Sequence, residues 1–182
     1  SNIIQDVKNN KDEACLKYTR EFDHVLLDTM EVTKEELDIQ ISKCDKDFVE
    51  AMKLAKQNIE DFHKLQRQNG YLLQKEMGIY LGQRVLPLEA VGIYVPGGRA
   101  QYPSSVLMNA LPAKIAGVKN VVMVTPPDSE GTIHPNIAYA ARLAGVDKIY
   151  KIGGAQAIAA LAYGTQTIDR VDKIVGPGNI FV

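Results

Sequence analysis

Three polar side chains are placed where a nucleotide-like ligand could be held: Tyr94, Gln156 and Asn179. The two amides can donate and accept hydrogen bonds at once. The tyrosine offers a ring for stacking and a hydroxyl for hydrogen bonding. Each stands at a glycine junction: Pro96-Gly97-Gly98 follows Tyr94, Gly153-Gly154 precedes Gln156, and Gly176-Pro177-Gly178 precedes Asn179. Thr125-Pro126-Pro127 is a fourth strand-end junction, with prolines in place of glycine. Glycine lets the backbone come close to a ligand and adopt positive φ. A helix starting near Ala155 would aim free N–H groups at an anion such as a pyrophosphate. Any one such junction is ordinary turn chemistry, but four of them on one sheet edge argue for a site. The GxGxxG dinucleotide fingerprint is absent, since Gly97-Gly98-Arg99-Ala100 does not supply it, and there is no P-loop Gly-Lys-Ser or Gly-Lys-Thr. Residue pattern alone therefore predicts a nucleotide-like α/β site of unspecified ligand.

Other chemistry is harder to find. His24, His63 and His134 are not paired with another His or a Cys at metal-ligand spacing, and they read as surface or helix-packing residues. HExxH, a Cys–His cluster and GxSxG are all missing. Cys15 and Cys44 sit among apolar helical positions, far apart and outside any CxxC pair, and read as small core residues. No catalytic residue and no metal ligand is assigned.

The elements that would position the site fall into two parts. Residues 1–90 read as a helical region with short strands. Asp12 can cap a helix running through Ala14, Cys15, Tyr18 and Phe22. Thr33-Lys34-Glu35-Glu36 has the form of a capping box. Ile41, Cys44, Phe48, Met52, Ala55, Ile59, Phe62 and Leu65 recur at steps of three and four, predicting one long amphipathic helix that Gly70 ends. Short strands or hairpin arms are expected between 71 and 90. Residues 91–182 then repeat strand, turn and helix three times, with strands at 91–95, 121–124, 148–152 and 171–175 and helices at 104–116, 136–144 and 155–163. That alternation means right-handed βαβ units, hence a Rossmann-like parallel sheet with helices on both faces. Ligands in such sheets bind beyond the carboxyl ends of the strands, where the four junctions lie.

Composition narrows the partners. The chain has 182 residues, enough for one domain or a domain with a helical annex, and 46% are hydrophobic. Its 21 basic and 22 acidic residues create no field of one sign, which argues against nucleic acid or anionic lipid as a partner. No apolar run reaches the roughly 20 residues of a membrane helix, and the opening Ser1-Asn2-Ile3-Ile4-Gln5-Asp6 is no signal peptide. Sparse cysteine points to a reducing cytoplasm. The missing Met suggests a processed or engineered start. Ile180-Phe181-Val182 is an apolar run after a glycine turn, so the sheet is expected to be truncated at its C-terminal end and to self-associate through exposed apolar surface.

Long ordered motifs add a resemblance. Val91-Gly92-Ile93-Tyr94-Val95-Pro96-Gly97-Gly98, Tyr102-Pro103-Ser104-Ser105-Val106-Leu107-Met108-Asn109-Ala110, Ile152-Gly153-Gly154-Ala155-Gln156-Ala157-Ile158-Ala159-Ala160-Leu161-Ala162 and Val171-Asp172-Lys173-Ile174-Val175-Gly176-Pro177-Gly178-Asn179 closely resemble the histidinol dehydrogenase family. Asp12-Glu13-Ala14, Phe22-Asp23 and Asn58-Ile59-Glu60-Asp61-Phe62-His63 are similar to it too, so the resemblance covers essentially the whole chain. It implies oxidation of L-histidinol to L-histidine through an aldehyde, with two NAD molecules, a zinc ion that holds the substrate, and a Glu–His pair for acid–base work. It implies a cytoplasmic homodimer with active-site residues contributed across its interface. Tyr94, Gln156 and Asn179 match the family's NAD contacts. The family's zinc ligands and Glu–His pair lie beyond the Gly-Pro-Gly-Asn motif, so this chain is expected to be inactive alone and to bind NAD weakly. The alternatives are a non-catalytic nucleotide-binding module, a dimerisation module with a vestigial pocket, and a dehydrogenase of a related amino alcohol.

Overall fold

The computed structural model describes residues 2–97 and 102–178. Elements follow the order α1 (Asn2–Tyr18), α2 (Lys34–Ser42), α3 (Lys46–Lys64), β1 (Tyr71–Glu76), β2 (Ile79–Gln83), β3 (Ala90–Tyr94), α4 (Pro103–Ile115), β4 (Asn120–Thr125), α5 (Pro135–Ala144), β5 (Lys148–Lys151), α6 (Gly154–Tyr163) and β6 (Lys173–Val175). A π-helical turn, Thr19–Asp23, continues α1.

The strands from β3 onward are short apolar runs, as burial on two faces requires. They form a parallel sheet in the order β5-β4-β3-β6. Side chains alternate across it. Ile93, Met123 and Ile149 join a core with Leu107 of α4, Ile137 of α5 and Met52 of α3. Tyr94, Val122, Val124 and Tyr150 join the opposite core with Leu161 of α6 and with Val7 and Cys15 of α1. The expected α/β sheet with helices on both faces is therefore the observed one. No helix among the described residues is long and apolar enough to cross a membrane.

The N-terminal region departs from its expected helices in instructive ways. The predicted single helix through residues 41–65 is two, because Asp45 intervenes and its carboxylate accepts from the backbone of Asp47 and Phe48, starting α3 afresh. That helix ends at Lys64, well before Gly70. Phe48, Ala55 and Ile59 pack on the α4–α5 layer, whereas Phe62 and Leu65 are exposed. Asp12 does not cap a helix of its own. It follows a break at Lys11 (φ 54°, ψ −125°), and its carboxylate accepts from the backbone N–H and hydroxyl of Thr167, pinning α1 to the loop before β6. Thr33 caps α2 by accepting from Glu36 N–H, but Glu36 turns away from the reciprocal bond to meet Lys151.

β1 and β2 form an antiparallel hairpin with every residue exposed. Tyr71, Leu72, Leu73, Tyr80 and Leu81 all lie on it. A two-stranded hairpin alone is marginal in water, and apolar surface of this kind favours association. Light scattering should show the molecular mass rising with concentration, and Leu72→Lys combined with Leu81→Lys should suppress that rise.

Candidate nucleotide site

The sheet reverses its winding between β3 and β6. β3, β4 and β5 are linked through helices on one face, and the α6 crossover then returns along the other face to lay β6 beside β3. A crevice opens beyond the carboxyl ends at such a reversal. Here the two backbones nearly touch. Gly176, at φ +141°, follows β6, and a Cβ on it would lie 2.3 Å from the carbonyl oxygen of Tyr94.

Tyr94 points to the α6 side of the sheet. Its ring is buried in the core at 6% exposure, so it does not present the free stacking surface expected from sequence. The hydroxyl does reach the edge: it accepts a 3.3 Å hydrogen bond from Gly154 N–H at the start of α6. Burial pushes the phenol's pKa up, the Gly154 N–H opposes that, and the charge of Asp23 adds to it. The hydroxyl thus keeps its proton and can donate it.

Gln156 lies two residues further along α6, 1% exposed. Its side chain folds back over Gly154, whose positive φ of 62° and missing Cβ make room for it; a Cβ there would stand 2.7 Å from Gln156 Oε1. That buried oxygen has no hydrogen-bond partner among the described residues. Buried acceptors are rarely left unpaired without a reason. The structure therefore brings Tyr94 and Gln156 together around Gly154. Asn179 and Gly98 lie outside the described residues.

The glycines at two junctions serve packing more than ligand approach. Cβ atoms on Gly97 and Gly153 would come to 3.1 and 2.5 Å of Pro126 Cγ, so this proline wedges between the loops that follow β3 and β5. Beside it opens a cavity of about 310 Å³ lined by Gly97, Pro126, Pro127, Asp128, His134 and Ile137 among others. A second, apolar groove of about 610 Å³ runs between Leu86, Pro112 and Lys173 and includes neither Tyr94 nor Gln156.

The remaining titratable candidates have structural tasks. His134 caps α5, its Nδ1 accepting from Asn136 N–H. His63 is half-buried and bonded to Gln66. His24 closes the π-helical turn in a left-handed conformation. Cys15 is fully buried, and that burial pushes its thiol up to about 12; Cys44 donates to the carbonyl of Pro135. No three His, Cys, Asp or Glu side chains gather as a metal-binding group among the described residues. One group escaped the reading of sequence as a site residue. Asp23 ends the π-helical turn with a buried carboxylate oxygen that has no partner among the described residues, and burial raises its pKa against the opposing pull of His24. No periodicity or spacing marks it.

Comparison with known proteins gives the family. The sequence profile of the family described as histidinol dehydrogenase matches residues 1–182. The histidinol dehydrogenase of Clostridium acetobutylicum is 61% identical over 180 residues, spanning 99% of this chain and 42% of that protein. That of Geobacter sulfurreducens is 53% identical over 183 residues, again with 99% and 42% covered. A crystal structure of histidinol dehydrogenase from Elizabethkingia anophelis superposes with a TM-score of 0.94 at 42% identity, covering 99% of this chain and 42% of that one. The chain thus spans 42% of the length of these relatives. With the fold and the whole-chain match in agreement, this chain belongs to the histidinol dehydrogenase family.

Proposed function

We propose that this chain supplies part of the NAD site of a zinc-dependent histidinol dehydrogenase that oxidises L-histidinol to L-histidine through the aldehyde, and that it is inert alone. The observation that carries the cofactor assignment is the unpartnered Gln156 Oε1, buried beside a tyrosine hydroxyl and the first N–H of α6. A ligand with hydroxyl or amide donors would satisfy it. Bound NAD would supply the hydride acceptor. In this reading Tyr94, Gln156 and Asn179 bind and orient the cofactor. They do not touch the alcohol.

Zinc does not fit the described residues, which assemble no metal-binding group. By resemblance to the family, substrate binding and acid–base work fall to residues beyond the Gly-Pro-Gly-Asn motif. Family resemblance supports a homodimer, and the exposed hairpin offers surface for one. A cytoplasmic setting agrees with two unpaired cysteines.

The test sets the purified chain beside one extended with the remaining family sequence, measuring zinc content and L-histidinol-dependent NAD reduction. The chain alone should be metal-free and inactive while the extended protein turns over. NAD reduction by the chain alone would overturn the assignment of catalytic groups. Within the site, Tyr94→Phe removes the acceptor for Gly154 N–H and the free hydroxyl proton. It should weaken NAD binding about fivefold and cost about 1 kcal/mol of fold stability, read by calorimetric titration and urea denaturation.

A further inference from the structure

Two buried side-chain acceptors lack any partner among the described residues: Gln156 Oε1 and Asp23 Oδ2. They come from opposite ends of the chain, yet the topology brings both to one edge. Residues 30–32 run antiparallel along β5, with Lys151 N–H donating to Met30 O at 2.7 Å and Val32 N–H to Ile149 O at 2.9 Å. The chain before Met30 therefore lies beyond the carboxyl end of β5, where α6 begins. The same segment touches the loop after β4: a Cβ on Gly131 would meet Leu27 Cδ2 at 3.2 Å and Val25 Cγ1 at 3.4 Å. Asp23 is close enough to Tyr94 for its charge to be felt at the phenol. Two unfavourable backbone features hold it there, the π-helical turn Thr19–Asp23 and His24 at φ 59°, ψ 29°. Such features persist where the fold needs a side chain aimed in one direction.

Dinucleotide-binding sheets commonly use an acidic residue near the end of their second strand to hold a ribose diol. The equivalent strand here is β4, and the acidic residue after it is Asp128. Its oxygens are already engaged: Oδ1 accepts from Glu130 and Thr132 N–H, and Oδ2 from the Thr132 hydroxyl. A ribose partner must come from elsewhere on the edge.

We propose that Asp23 is a further ligand-binding residue of this site, its free carboxylate oxygen accepting a hydrogen bond from a ribose hydroxyl of the bound nucleotide. The proposal rests on the NAD reading above. Gln156 Oε1 and Asp23 Oδ2 are two free acceptors on this edge, and the Tyr94 hydroxyl, which already accepts from Gly154, adds a donor.

Asp23→Ala and Asp23→Asn test it, with NAD and with NAD analogues lacking the 2′- and 3′-hydroxyls of one ribose or the other as probes. Asp23→Ala should weaken NAD binding about tenfold, the range of a hydrogen bond to a charged group. One dideoxy analogue should bind wild type and Asp23→Ala equally. Both variants should melt at or above the wild-type temperature at neutral pH, because an uncompensated carboxylate is removed from a partly buried position. The pH sign follows from the raised folded-state pKa. Ionising Asp23 lowers stability as pH rises from the unfolded value of 3.8 through the raised one, so the variants' advantage should vanish below that window. Wild-type NAD affinity in Asp23→Ala would overturn the inference and leave the NAD site standing. Lower melting temperatures would make Asp23 structural and also overturn it. Failure of wild type to bind NAD at several millimolar would overturn the NAD reading and this inference together.

Discussion

Glu36→Ala should destabilise the fold by about 3 kcal/mol, the cost of leaving a buried cation without its partner. Lys151 closes β5 with its side chain only 8% exposed, and its ammonium lies 3.1 and 3.0 Å from the two carboxylate oxygens of Glu36, itself 19% exposed. Removing the carboxylate leaves the ammonium of a largely buried side chain without its counter-ion. Lys151→Met should cost less, because the better-exposed Glu36 recovers part of its hydration. The double variant Glu36→Leu, Lys151→Met should regain most of the loss, since replacing a buried pair by apolar groups is often neutral. Urea denaturation at constant m-value measures all three. The pair matters to function through position. It ties α2 to the end of β5, and the segment it anchors carries Asp23 across the carboxyl edge.

Gly176→Ala should cost about 3 kcal/mol or more and abolish NAD binding. The methyl group would be forced to 2.3 Å from Tyr94 O and 3.0 Å from Tyr94 N, both backbone atoms that cannot rotate away, and φ +141° is a conformation open in practice to glycine alone. β6 must then move off β3, opening the crevice where the two strands diverge. Gly78→Ala is the matched control. Its φ of +83° is also unfavourable, but nothing lies within 4 Å of the new Cβ, so it should cost only about 1–2 kcal/mol. The difference between the two variants isolates backbone contact at the switch point from conformational strain. It is read as a difference in denaturation midpoint, with NAD titration alongside.

The parts of the fold that could be read from sequence are those where one physical demand dominates. A parallel strand buried on both faces must be apolar throughout, so Val121–Val124 and Val91–Val95 announce themselves, and Gly117, Gly145 and Gly164 stop the helices between. Misreadings arose where two patterns overlapped. Ile41, Cys44 and Phe48 keep helical spacing straight through the break at residues 43–45, because α2 and α3 both face the α4–α5 layer and each needs the same stripe. Only Asp45, a capping residue embedded in that stripe, marks the interruption. Thr33 and Glu36 carry the capping-box spacing, yet a buried lysine 115 residues away competes successfully for the glutamate. At the carboxyl edge, the positions of Tyr94 and Gln156 could be read because glycine junctions mark strand ends. The tyrosine's burial could not, since it follows from α1 and α6 closing over that face. Asp23 stands in the family-like pair Phe22-Asp23, but no periodicity or spacing gives it a binding role. Its place depends on a π-helical turn and on a segment folding back along β5, both tertiary outcomes.

The edge around Tyr94, Gly154 and Gln156 is proposed as a nucleotide site. NAD titrated into the isotopically labelled chain tests it directly by amide NMR. A nucleotide bound there should give saturable shifts at Tyr94, Gly153, Gly154 and Gln156, with the exposed hairpin unmoved. Shifts confined to the groove between Leu86, Pro112 and Lys173, or none at Gly154 and Gln156 with millimolar NAD, would contradict it.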